Sequence, residues 1–278
     1  DSCKGSLSFG KFKVPYYRSH PLNRRASHIR RAVIMVHGHG RNVRTYFSGA
    51  LQSVKKACKL KSTAVFAPHF QAVYARRDNL PRPDTPKSSE IYWDGVSGWK
   101  RADLSTHKRS PRISSFAVVD RLVERLADRR QFPNLKQVVI AGHSAGGQFV
   151  QRYAMLSRVP DQYRGRLKFS YVVANPGSYA YPRRERLTAG SIDTWSLPQG
   201  CPGYDRWRYG LDNLPVYTRE GRAKVMARYA GRHVVYFAGT EDTKTSGRAL
   251  LEGDRAAFAT VSRVTGALLE GDLAVLDS

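Results

Sequence analysis

Apolar residues along the chain fall into short unbroken runs separated by stretches of helical periodicity. Ala32-Val33-Ile34-Met35-Val36 and Val138-Val139-Ile140-Ala141 contain no polar residue, as expected of central parallel strands buried on both faces. Ser62 to Pro68, Leu167 to Ala174 and His233 to Ala238 read as further strands. Leu7, Phe9, Phe12 and Val14 alternate loosely around Gly10, which predicts an antiparallel edge hairpin over Leu7 to Tyr17. Between these runs, Val43 to Leu60 reads as a helix. Ser114 or Ser115 caps a second helix, whose Phe116, Val118, Val119, Leu122, Val123 and Leu126 form one apolar face. A third begins at Gly146-Gly147 and reaches about Leu156. This alternation predicts an α/β fold, with a mostly parallel central sheet covered by helices on both faces.

Two segments break the pattern. Residues 71–113 form a long polar stretch rich in proline and arginine, of the kind that is usually functional or mobile. Its Trp93 and Trp99 either line a pocket or pack beneath the loop. From Tyr179 to about Lys224 periodicity is lost and aromatics accumulate: Tyr179, Tyr181, Trp195, Tyr204, Trp207, Tyr209 and Tyr217. They suit either a bulky substrate or a small core of their own. A chain of 278 residues with 41% hydrophobic content suits one α/β domain with insertions.

The formal net charge of +25 suggests attraction to anionic surfaces. The cations are dispersed, mostly as pairs such as Arg24-Arg25, Arg76-Arg77 and Arg183-Arg184, without zinc-finger spacing or an aromatic-basic motif, so no specific nucleic-acid partner is expected. Cys3, Cys58 and Cys201 are too few and too irregular for a metal site, though one disulfide would be compatible with export. No apolar run approaches eighteen residues. A first residue of Asp1 rather than Met fits a processed or trimmed product, compatible with a secreted or periplasmic protein, and no signal peptide is visible.

The chemistry concentrates after the strand Val138–Ala141, where Gly142-His143-Ser144-Ala145-Gly146 has the G-x-S-x-G pattern between strand and helix. Glycines on both sides allow a sharp turn that projects the Ser144 hydroxyl into open space. Ala145 supplies a backbone N–H at a helix start, where negative charge is favoured. The strand Ala32–Val36 ends in His37-Gly38-His39-Gly40, followed by Arg41 and Asn42. These motifs resemble the α/β-hydrolase superfamily, specifically its serine esterases and lipases. The resemblance covers Ala32 to Asp242 and implies an α/β-hydrolase fold, with residues 179–224 in the place of the cap or lid. It also implies Ser144 as nucleophile, an oxyanion hole of Ala145 with His39 or Gly40, and Asp242 as triad acid with Glu241 in reserve. No cofactor or metal is implied, and the expected partner is a small-molecule or acyl substrate.

One part of that pattern is missing. The superfamily order requires a histidine after the acid, and residues 243–278 contain none. His233 opens its strand, His143 points toward the core, and His20 and His28 precede the Ala32 strand. His39, His69 and His107 remain as loop histidines on the ligand-binding side. The tail is unusual in another way: Ala-Leu-Leu-Glu-Gly-Asp occurs at Ala249–Asp254 and again at Ala267–Asp272, and the segment is acidic and aliphatic in a basic protein. A truncated or out-of-frame terminus, or recruitment of another histidine, would account for the gap. The expected function is carboxylic ester hydrolysis at Ser144. The alternative is a non-catalytic protein of this fold that binds a ligand or an anionic surface.

Overall fold

The computed structural model describes residues 3–73, 84–95, 98–187 and 194–239. Strands β1 (Lys4–Phe9) and β2 (Phe12–Arg18) form the antiparallel hairpin, with Gly10 in the turn at φ 62°. Next come β3 (Arg31–Val36), α1 (Val43–Lys56), β4 (Thr63–Pro68), α2 (Ser115–Leu126), β5 (Gln137–His143), α3 (Ala145–Leu156) and β6 (Lys168–Ala174). Two-residue strands β7 (Arg186–Leu187) and β8 (Trp195–Ser196) pair with each other; α4 (Arg222–Ala230) and β9 (His233–Phe237) follow. Helix α1 stops at Lys56, short of the expected Leu60, because the chain turns at Cys58, which takes φ 53°.

The main sheet has the order β1-β2-β4-β3-β5-β6-β9, parallel from β4 through β9. Alternate residues of each central strand feed opposite faces. Val33, Met35, Val139 and Ala141 pack on Val43, Tyr46, Phe47, Ala50 and Val54 of α1. Ala32, Ile34, Val138 and Ile140 pack instead with Phe116, Leu122 and Leu126 of α2 and Phe149 and Tyr153 of α3. Burial of each large apolar side chain is worth roughly 1.5–3 kcal/mol, so both faces are strongly driven closed. Ser114 caps α2, accepting from Phe116 N–H at 3.2 Å and donating to Ala102 O at 2.8 Å.

The chain leaves β3 outward to β4 by way of α1, then returns past β3 to β5 by way of α2. The winding direction reverses between β3 and β5, and in open α/β sheets ligands bind at such a point, beyond the carboxyl ends of the strands. Val36 pairs with Gly142 in register, so the loops following the two strands emerge side by side.

The two tryptophans of residues 71–113 pack beneath their loop. Trp93 and Trp99 are buried; Trp99 stacks on Phe70 with ring centroids 5.3 Å apart, and Trp93 Nε1 donates to Asp103 O. Among the 179–224 aromatics, Tyr181 and Tyr204 flank the Arg186 guanidinium, and Trp207 Nε1 donates to Arg101 O. Trp195 and Tyr209 are exposed. Cys3, Cys58 and Cys201 are free thiols at the surface, so the disulfide considered from sequence is absent. Among the described residues no helix is long and apolar enough to cross a membrane, and no group of three or more His, Cys, Asp or Glu could hold a metal ion.

Candidate active site

Ser144 joins β5 to α3 and holds φ 55° and ψ −118°. That backbone is rare for a residue with a side chain and costs of order 1–3 kcal/mol, so surrounding structure must enforce it. Ser144 N–H donates to Ala174 O at 2.9 Å, and Ser144 O accepts from Gln148 N–H at 3.0 Å. On the inner side of the turn a β-carbon at Gly142 would collide with the Gly146 backbone, and one at Gly146 would collide with Val36 O. The helix therefore sits directly on the ends of β3 and β5. Ser144 itself is half-buried, and its hydroxyl makes no hydrogen bond among the described residues. Ala145 N–H opens α3, where no intrahelical acceptor exists for it.

The neighbouring loop is held from below. Gly38 lies against the Tyr46 ring, whose hydroxyl a β-carbon at Gly38 would overlap. Gly40 faces open space, with only Asn42 Oδ1 in reach of such a carbon at 3.8 Å. Arg41 takes φ 54° and turns its buried guanidinium onto Phe70 O, Trp93 O and Gly95 O, at 2.8, 2.9 and 2.9 Å. It ties the loop to the segment that follows β4. His39 and Gly40 occupy the outer part of this turn.

The histidines separate by environment. His37 is buried, its Nδ1 donating to Gly38 O at 2.9 Å and its Nε2 accepting from Phe70 N–H at 3.1 Å. Burial, reinforced by the nearby His69 ring, lowers its pKa to about 3. A ring with both nitrogens engaged and so little basicity cannot serve as a proton acceptor near neutral pH. His143 is buried behind Ser144 beside Tyr46 Oη, and His233 contacts Ser170 Oγ at the opposite end of the sheet. His107 packs edge-on against Phe12 and Tyr92 and accepts from Arg109 N–H, at the hairpin side. His69 follows β4, with Nε2 3.3 Å from Asp84 Oδ1. No imidazole hydrogen-bonds Ser144 Oγ among the described residues, and Asp242 and Glu241 lie outside them.

Buried charge is the feature that sequence reasoning overlooked. Arg152 is fully buried on α3, and Asp120 of α2 accepts from Tyr153 Oη, Ser157 Oγ and Tyr217 Oη at 2.8, 2.7 and 2.6 Å. The signal was present in α3, whose single charged residue sits in an otherwise uncharged helix.

Comparison with protein-family models finds no match, and neither does comparison with curated protein sequences. Solved structures are similar along nearly the whole chain. LpqC, a poly(3-hydroxybutyrate) depolymerase from Bordetella parapertussis, is 22% identical over 94% of this chain and 74% of its own, with a TM-score of 0.52. Poly(aspartic acid) hydrolase-1 from Sphingomonas sp. KT-1 is 18% identical over 96% of this chain and 85% of its own, with a TM-score of 0.53. At such identities the likeness concerns architecture, and together with the reversal of winding between β3 and β5 it places the chain in the α/β-hydrolase fold.

Proposed function

We propose that this chain is a serine hydrolase that cleaves carboxylic esters through an acyl-enzyme at Ser144. The observation that carries the reading is the Ser144 backbone at φ 55° and ψ −118°, enforced by the Gly142–Gly146 contact, because strain of this kind persists where it positions a reactive group. Ser144 Oγ bonds to the substrate carbonyl carbon while its proton passes to a base. Ala145 N–H and the N–H of His39 or Gly40 stabilise the oxyanion. Collapse expels the alcohol, which takes that proton, and water then releases the acid and restores the serine. Asp242 is the proposed partner of the base. His39 and His69 are the loop histidines left for the base, since His107 is engaged in packing. The fold neighbours act on polyesters and polyamides by their names, which is compatible with acyl transfer. Residues 179–224 are proposed as the cap.

Labelling by a fluorophosphonate is the test: a covalent adduct on Ser144 of the folded protein, lost in Ser144→Ala, is expected. A second reading, a hydrolase fold that binds without turnover, is favoured by the Ser144 hydroxyl, which meets no imidazole among the described residues. Absence of both an adduct and short-chain ester turnover would establish it instead.

A further inference from the structure

Helix α3 carries Ser144, Gln148 and Arg152 at successive turns of one face, which puts Arg152 about 12 Å beyond the serine along the helix axis. The Arg152 guanidinium is wholly buried and donates only to neutral oxygens. These are Arg208 O, Lys100 O and Gln148 Oε1, each at 3.3 Å, and Ser178 Oγ at 3.0 Å. Among the described residues no carboxylate meets it. A buried cation without a counter-ion is costly, and the cost is greater where other cations crowd it. They do so here: Lys100 and Arg208 flank it, and Lys100 is also near Arg41. Arg101 is neutralised by Asp103 at 2.7 Å, whereas the half-buried Lys100 ammonium has no hydrogen bond or ion pair among the described residues.

The cluster lies on the same side of the sheet as the serine. Lys100 follows Trp99, which packs on His37 at the end of β3 with centroids 4.7 Å apart, and Ser178 lies in the loop after β6. We infer that Lys100 and Arg152, with Arg208, form an anion subsite that selects ester substrates bearing a carboxylate at the far end from the scissile bond. Arg152 sets the positive potential from below and Lys100 makes the direct contact, a charge-assisted hydrogen bond. Burial and the neighbouring guanidinium of Arg152 lower the Lys100 pKa to about 8, a shift that a bound carboxylate would reverse. The inference deepens the ester-hydrolase reading and rests on it.

The test compares monophenyl esters of saturated α,ω-dicarboxylic acids of four to ten carbons with phenyl esters of the matching monocarboxylic acids. At low ionic strength the ratio of kcat/KM, acid over neutral, should exceed about tenfold at one or more chain lengths and shrink as salt is added. Lys100→Met should cut that ratio about tenfold and Lys100→Arg should restore most of it, with circular dichroism confirming the fold of both. A ratio near one at every length, or one that Lys100→Met leaves intact, overturns the subsite while leaving ester hydrolysis standing. If no ester turns over, the Ser144 reading fails. Calorimetric titration of monophenyl suberate into Ser144→Ala then decides the subsite separately: binding weakened tenfold by Lys100→Met supports it, and absent or unaltered binding refutes it.

Discussion

Gly142 lies so close to Gly146 across the turn between β5 and α3 that it tolerates no side chain, and Gly146 tolerates none either. The obstruction at Gly142 is the backbone of Gly146, and at Gly146 it is the carbonyl of Val36 on the adjacent strand. Rotamer changes cannot relieve either collision. The serine between them is thus held by main chain on two sides.

Gly146→Ala should force α3 away from β3. A loss of about 1–3 kcal/mol in stability is expected, as for other overpacked sites, with ester turnover reduced more than a hundredfold. Urea denaturation and initial rates measure both; unaltered stability would show that the turn has room to spare.

Ser144→Gly should stabilise the protein by about 1 kcal/mol while abolishing fluorophosphonate labelling, because glycine adopts φ 55° freely. A destabilised variant would mean that Ser144 is unstrained in solution.

His37 stays neutral in the folded protein until about pH 3, whereas an unfolded histidine takes its proton near 6.5. The unfolded state therefore binds more protons between those values, and folding stability should fall as pH drops from about 6.5 toward 3. Replacement by His37→Asn should flatten that slope in denaturation midpoints measured from pH 6.5 to 5. Parallel slopes would place the acid sensitivity elsewhere.

Asp120 behaves in the opposite sense. Burial raises its pKa to about 6 against the lowering effect of its three hydroxyl donors, so the native state holds a proton that the unfolded chain releases near 3.8. The contribution of this residue is greatest at low pH and declines between about pH 4 and 6, by up to about 3 kcal/mol at 1.36 kcal/mol per pKa unit. The stability of wild type relative to Asp120→Asn should decline across that window. Because Tyr217 Oη is one donor, the same change should loosen the 179–224 segment in hydrogen exchange. A pH-independent difference would show that the carboxyl is ionised throughout.

What the sequence determined by itself is whatever burial prints along the chain at short period. Val33, Ile34, Val139 and Ile140 read as buried strands because both faces of the central sheet are covered, and α2 was legible from its apolar stripe and Ser114 cap. Helix α4 escaped because Val225 is its one buried residue, leaving almost no stripe to detect. The glycines around Ser144 were visible as a motif, but only the packed structure distinguishes Gly38, pressed against Tyr46, from Gly40, which faces open space. Tertiary structure alone withdrew Trp93 and Trp99 into packing, silenced His37, and brought Lys100 beside Arg152 from across 52 positions. Such juxtapositions depend on which strand ends become neighbours in the sheet, a relation between distant segments that local periodicity does not encode.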